Sequence, residues 1–338
     1  MIRSENEALS CMRSPIPAGK DREMDSPRNP SMIRGHAYRV FGLAVRSDIA
    51  LPELTSRADG DEAAFDVELR LGTFPRVENE KTDGFTVAGD IAVLNVPTAG
   101  RYRISGGREI LVEPDPDGTE RNLRLYLLGS AIGAILHQRN ILPLHANAIV
   151  FDEGAVAFMG ASGAGKSTMA AWFHDRGHAV LADDVCAVSF IDGKPFAQPG
   201  IPRLRLWRDA VEASGRRVAG YDRSFEDAEK YNVPTRTDAP AEAIPLAALY
   251  VLDTPDPDRS HSAIQRRTGL DAAETLIANT YRGAYLEQLG GIEHHLRTCL
   301  GLAASVPVFS VERKWGWVHF DNQLMELENH ARRVLSAL

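Results

Sequence analysis

Three groups of residues in this sequence have the types and spacing for chemistry on a phosphate group. Gly160-Ala161-Ser162-Gly163-Ala164-Gly165-Lys166-Ser167-Thr168 fits the pattern of Gly, four residues, then Gly-Lys-Ser/Thr. In that pattern the glycines let backbone N–H groups turn inward around a triphosphate, the lysine reaches the terminal phosphates, and the next hydroxyl joins a magnesium shell. Asp183-Asp184 follow Lys166 by 17 and 18 residues, at the end of the apolar run Ala179-Val180-Leu181-Ala182. A strand ending in aspartate beside a glycine loop presents carboxylate oxygens to magnesium or to a nucleophile at the γ-phosphate. Adjacent residues of a strand point to opposite faces, so the two aspartates should have different roles. His145 is the third group, 15 residues before Gly160.

The elements needed to position these groups are legible. Ala155-Val156-Ala157-Phe158-Met159 is a short apolar run of the kind that forms a buried strand feeding the loop. After the loop, Met169, Ala170, Trp172 and Phe173 give one apolar face of a short helix that Gly177 can end. The positive end of that helix adds to the attraction for phosphate. Leu144-His145-Ala146-Asn147-Ala148-Ile149-Val150-Phe151 reads as a strand, and Asp152-Glu153-Gly154 as a tight turn. The resulting antiparallel hairpin carries His145 to the phosphate end of the sheet, although a lone histidine is more often a packed structural residue.

Length and composition bound the reading. The 338 residues suggest about two domains. A net charge of −8 argues against a nucleic-acid partner held by bulk electrostatics. Cys11, Cys186 and Cys299 have no paired spacing, as expected of a reduced cytoplasmic protein rather than a disulfide scaffold or zinc site. No apolar run approaches 18 residues and the N-terminus lacks a signal-peptide core, so no membrane partner is expected.

Residues 1–34 carry Pro15, Pro17, Pro27 and Pro30 with mixed charges and no aromatic side chain, and read as a disordered tail. Met24 and Met32 are alternative starts. From Tyr38, short apolar runs separated by Gly, Pro and Asp point to strands and hairpins: residues 38–45, 65–71, 85–87, 91–96, 101–104 and 110–112. Residues 35–118 therefore read as a small β-rich (α+β) N-terminal domain. Residues 119–140 have helical spacing in Leu123, Tyr126, Leu127, Ser130, Ala131, Ala134 and Ile135 and read as a bridging helix, with residues 141–338 as the catalytic domain.

Together these residues resemble the HPr kinase/phosphorylase family, bacterial serine kinases with a P-loop. The family pattern runs from a His-Gly strand through a Gly-Asp-Ser-Gly-x-Gly-Lys-Ser loop to Arg-Gly-His and an Asp-Asp pair. Here His145, the loop at 160–168, Arg176-Gly177-His178 and Asp183-Asp184 stand at the family's spacing. The resemblance covers residues 141 to about 190 well and the rest of that half weakly. Phe41-Gly42-Leu43 with Leu51-Pro52-Glu53-Leu54, and Pro199-Gly200-Ile201-Pro202 with Leu204-Arg205-Leu206-Trp207, look more like the HPr-kinase-related proteins. Several of those lie in lasso-peptide gene clusters and phosphorylate a C-terminal serine of the precursor.

The resemblance implies an α/β P-loop kinase domain of HPr-kinase/PEP-carboxykinase type, with ATP and Mg2+. It implies Asp184 as proton acceptor from the serine hydroxyl, His145 beside it, Lys166 on the phosphates, Ser167 on magnesium, and Asp183 on magnesium directly or through water. Asn279-Thr280-Tyr281-Arg282 is similar to the family's Asn-x-Arg segment, which makes Arg282 a weaker candidate for transition-state charge. Arg203, Arg205 and Lys230 could bind phosphate or an acidic substrate tail, against a competing reading as solvated surface charges.

Two family features are missing. The Glu-x-Arg-Gly-x-Gly stretch that supplies a magnesium-binding Glu has no counterpart, residues 199–207 standing in its place, so the second metal ligand is open. The family's Arg-Pro-Gly-Arg-Asn loop is at best echoed by Arg267-Thr268-Gly269-Leu270-Asp271, which implies a kinase without efficient phosphorylase activity. The expected acceptor is a peptide or small protein carrying a serine, a lasso-peptide precursor before HPr itself. An ATP-sensing module without transfer and a small-molecule kinase are the alternatives, and homo-oligomer formation is open.

Smaller signals read as structural. His174 and His178 have metal-pair spacing without a third ligand, and His294-His295 have no partner at ligand spacing. Trp315 and Trp317 alternate in a strand-like run that would cover the core, and residues 324–338 form an amphipathic helix.

Overall fold

Between residues 36 and 114 the described residues form a succession of short strands, in several of which alternate residues are buried. The computed structural model describes residues 35–57, 64–224, 229–235, 240–254, 256, 258, 262–314 and 316–337. The expected tail at 1–34 and Trp315 lie outside the described residues. The first seven strands are β1 (His36–Val40), β2 (Leu43–Ser47), β3 (Val67–Leu71), β4 (Gly84–Ala88), β5 (Ile91–Val96), β6 (Gly100–Ser105) and β7 (Glu109–Pro114). They form one sheet in the order β1-β2-β3-β7-β6-β5-β4, antiparallel except for the β2–β3 and β3–β7 pairs. The run expected over 38–45 is two strands, because Phe41 and Gly42 both adopt positive φ and make the tight turn of a hairpin.

Period-two alternation sets the buried face. In β6, Tyr102 and Ile104 are buried while Arg101 and Arg103 are half-exposed. That face is covered by a helical stretch: α1 (Glu120–Tyr126), a π-helical turn at Leu127–Ala131, and α2 (Ile132–Gln138). Thr119 caps its start by accepting the Asn122 N–H at 3.2 Å. Leu123, Leu127, Leu128, Ile132 and Ile135 share one core with the first sheet, and Val185, Ala187 and Tyr285 from the second half join the same core. The described residues from Gly35 onward form one compact unit.

The second half contains β8 (Leu142–Leu144), β9 (Ala146–Phe151), β10 (Gly154–Gly160), α3 (Lys166–Asp175), β11 (Val180–Ala182), β12 (Cys186–Ile191), β13 (Lys194–Ala197), β14 (Arg203–Trp207) and α4 (Arg208–Ala213). It continues with β15 (Lys230–Pro234), β16 (Ile244–Leu252), β17 (Ala263–Arg267), α5 (Gly269–Ala278), α6 (Tyr285–Leu289), α7 (Ile292–Ser305), β18 (Val308–Glu312) and α8 (Trp317–Leu335). Around the loop the strands run β11-β9-β10-β16-β18-β17, with β10, β16 and β18 parallel. β16 also pairs β13, which continues through β12 to β8, and β14 and β15 form a separate two-stranded ribbon.

Trp317 is not on a strand. Gly316 breaks the alternating run with a φ of 115°, and Trp317 opens α8, whose buried Leu324, Leu327, Ala331 and Leu335 pack on the core beside β10. His178 is tied down by the Val150 carbonyl at 3.1 Å and by Glu328 of α8 at 3.2 Å. His295 lies beside Thr280 at 3.2 Å. Among the described residues no helix is long and apolar enough to cross a membrane.

Candidate active site

The loop is launched by β10, whose seven residues are all buried. Gly160 ends the strand at φ 144°, where a Cβ would stand 2.5 Å from the Leu252 carbonyl oxygen of β16, so no other residue fits. Residues 161–165 then turn into α3, which begins at Lys166. The Lys166 ammonium donates to the carbonyls of Gly160 at 2.7 Å and Ala161 at 3.1 Å, and to His145 Nε2 at 3.1 Å. Burial pulls its pKa down to about 8, against the opposing pull of Asp184 and Asp183. From below, buried Asn147 of β9 donates to the Lys166 carbonyl at 2.6 Å and fixes the first turn of α3.

His145 sits between β8 and β9, at the loop end of the hairpin, as the sequence requires. Its partners set its tautomer. The Asp184 carbonyl, 3.0 Å from Nδ1, can only accept, and the Lys166 ammonium, 3.1 Å from Nε2, can only donate. The ring is therefore neutral with its proton on Nδ1. Burial first, and then the Lys166 charge, hold its pKa below the usual value.

The aspartates divide their work, but not by strand alternation. β11 ends at Ala182, and Asp184 takes a left-handed φ of 70°, a rare conformation for a non-glycine residue. This turn, rather than opposite strand faces, separates the carboxylates. Asp183 accepts the Ser167 hydroxyl at 3.1 Å and the Arg205 backbone N–H at 2.8 Å. Asp184 pairs with the Arg205 guanidinium. Burial and then the adjacent Asp184 charge push Asp183 upward. Burial acts the same way on Asp184, but the Arg205, Lys230 and Lys166 charges together outweigh it and keep this carboxylate charged.

The facing wall comes from remote segments. Arg203 and Arg205 on β14 and Lys230 on β15 are partly or largely buried, which overturns the surface-charge reading. Burial lowers Arg203 to about 10 and also pulls Lys230 down. The 279–282 link is stitched to the histidine strand: the His145 N–H donates to the Asn279 carbonyl at 2.7 Å, and the Tyr281 N–H to Pro143 at 2.8 Å. Arg282 has a φ of 54° and its guanidinium lies over the Tyr281 ring at 5.5 Å. On the other side, Tyr281 fills the space above Gly133 of α2, where a Cβ would meet its ring at 3.1 Å.

These groups enclose a cleft of about 820 Å3 reached by His145, Ser162, Asp184, Arg205, Lys230 and Arg282, with Tyr126 of α1 on its rim. The loop, Asp184, His145 and Arg282 therefore meet as the sequence suggests. The Arg267–Asp271 echo does not line the cleft; it forms a local ion pair at the start of α5. Arg313 went unrecognised. It follows β18, is buried, and donates to the Ala164 and Asp253 carbonyls. Its signal is a cation immediately after a mostly apolar strand, which in the fold pairs with β16, the neighbour of the loop strand.

Magnesium is tested by the donor set. Among the described residues there is no cluster of three or more His, Cys, Asp and Glu at metal-binding separation. Ser167 and Asp183 supply a hydroxyl and a carboxylate in contact, which fits a cation that keeps several waters and takes its remaining ligands from phosphates.

No family model matches the chain. A phosphoenolpyruvate carboxykinase (ATP) from Brevibacillus brevis (strain 47 / JCM 6285 / NBRC 100599) is 34% identical over an alignment of 143 residues, and the match covers 36% of this chain. The match spans 25% of that enzyme's length. Among solved structures, the HPr(Ser) kinase/phosphatase from Coxiella burnetii aligns with 56% of this chain and 97% of its own at 14% identity, with a TM-score of 0.28.

Proposed function

We propose that the chain is an ATP- and magnesium-dependent kinase that phosphorylates a serine hydroxyl on a peptide or small protein. The observation that carries this reading is the convergence, at one end of β10, of a triphosphate loop, a Ser167–Asp183 pair and a charged Asp184 facing an 820 Å3 cleft. The carboxykinase relative is, by its name, an ATP-using kinase-type enzyme, which supports the same class of chemistry over the matched stretch.

Magnesium, held by Ser167 and Asp183, would supply charge neutralisation on the phosphates. Lys166 exchanges its bonds to the Gly160 and Ala161 carbonyls for phosphate oxygens. The acceptor hydroxyl approaches Asp184, whose carboxylate orients it and takes its proton as the oxygen bonds to the γ-phosphorus and the bond to the ADP oxygen breaks. A carboxylate with a lowered pKa is a weak base, but phosphoryl transfer has a loose transition state that needs a positioned acceptor more than a strong base. Arg282, Arg205 and Lys230 place positive charge around the cleft, where it counters charge on the transferring group or on an acidic acceptor.

The finer reading, a lasso-peptide precursor phosphorylated at its C-terminal serine, rests on the sequence resemblance alone, and HPr is the second choice. Incubation with γ-labelled ATP and each candidate acceptor, followed by mass spectrometry of the product, tests both levels. Phosphoserine on either substrate, lost in Asp184→Asn, is the expected result. No transfer to either, with ATP bound tightly, would overturn the kinase reading in favour of a sensing module.

A further inference from the structure

The two ends of the bound nucleotide are distinguishable, and only one has been accounted for. Asp183, Asp184 and His145 lie on the β11–β9 flank of the loop strand, and they fix where the reacting phosphate belongs. The other flank is made by β16 and β18, both parallel to β10, and the chain leaving β18 runs through Arg313 and Gly316 into α8. The loop residues 162–168 lead from Asp184 toward that flank, a path long enough for a nucleotide to follow from its terminal phosphate.

A second cavity, of about 240 Å3, lies along this path. It shares His145, Ser162, Asp184, Arg205, Trp207 and Lys230 with the acceptor cleft, so the two meet at the reacting atoms and the β14–β15 ribbon borders both. Its far wall includes Trp317, Phe320 and Gln323 of α8. Trp317 is 52% exposed and contacts Phe320 edge-on, with ring centroids 5.3 Å apart at 67°. Phe320 packs in turn against the core beside β10. A half-exposed indole backed by a second ring contributes little to the core, but it offers a flat π-surface to a planar ligand.

We infer that the nucleobase of the phosphate donor stacks on Trp317, with Phe320 holding the indole in place and the Gln323 amide within the same cavity for the base edge. This rests on the nucleotide-binding reading above and adds the base subsite to it. Stacking on an aromatic side chain tolerates any base, so the site predicts affinity for the nucleoside moiety rather than strict adenine selectivity.

Calorimetric titration of the full chain with ATP and, separately, with inorganic triphosphate tests the assignment. Trp317→Ala should weaken ATP about tenfold or more while leaving triphosphate affinity within about twofold, and Trp317→Phe should recover most of the loss. Val318→Ala, altering a neighbour that is 83% exposed and outside the cavity, should change neither. Unchanged ATP affinity in Trp317→Ala, or equal losses for ATP and triphosphate, would overturn the base subsite while leaving the phosphate loop intact. The same loss in Val318→Ala would overturn it by tracing the effect to the start of α8. Wild-type protein that binds neither ligand would remove the nucleotide reading and this inference together.

Discussion

The two sides of the cleft are built in opposite ways. The loop side is one continuous stretch, β10 through α3, in which each functional atom lies within about ten residues of the next. The facing wall gathers Arg205, Lys230, Tyr281 and Arg282 from segments separated by tens of residues, with Tyr126 arriving from before β8. The first side depends on local backbone geometry and the second on how the sheets and ribbon pack. Donor binding should therefore tolerate changes at Tyr281 and Arg282, which line the first cleft alone, while acceptor handling should not.

Asp184→Asn puts the largest effect on that contrast. Transfer should fall about a thousandfold, because the carboxylate proposed to take the proton is replaced by a neutral amide. ATP affinity should stay within about threefold in the same variant. A rate near wild type would remove the assigned role, and a matching loss of ATP binding would erase the distinction between the two sides.

Lys166→Ala should lower both properties, with transfer at saturating ATP down about a hundredfold and ATP affinity down about tenfold. Quench-flow and equilibrium binding separate the two. Arg282→Ala, at a residue that lines the acceptor cleft and not the second cavity, should act on the wall alone, raising the acceptor KM about tenfold with the ATP Kd unchanged. An altered ATP Kd there would mean that the 279–282 link belongs to the donor side.

The smallest effect concerns the tether of α8 rather than either side. Glu328 is opposed by burial, but its hydrogen bonds from Arg332 and His178 outweigh this and hold its pKa below the ordinary 4.5. A lowered carboxylate contributes stability above its unfolded pKa and loses it as pH falls through the folded value. Glu328→Gln should therefore cost about 1 kcal/mol or less at pH 7, a difference that closes on acidification below 4.5. Urea titrations across that range measure it, and both ligand affinities should be untouched.

The loop side was legible because its information is local. A glycine pattern between an apolar strand and a helical face has one reading, and the antiparallel hairpin alone carries His145 to Lys166. The aspartates were found, but not the turn at Asp184 that separates them, since a left-handed residue leaves no mark in an apolar run. Arg203, Arg205 and Lys230 read as surface charges because nothing in their neighbourhood announces that β14 and β15 pair across more than twenty intervening residues. Trp317 was misplaced for a related reason. Alternation over five residues is weak evidence for a strand when Gly316 can reset the backbone and start a helix.

Val185 and Ala187 sit in the core of the first sheet, one and three residues beyond Asp184. The Asp184 carboxylate is thus mounted on a segment whose other anchor is the N-terminal half. A chain begun at residue 119 would leave that anchor bare to water, exposing the apolar faces of α1 and α2 along with it. For expression, for truncation series and for recombination between related proteins, the seven-stranded sheet and the phosphate loop must be inherited as one piece.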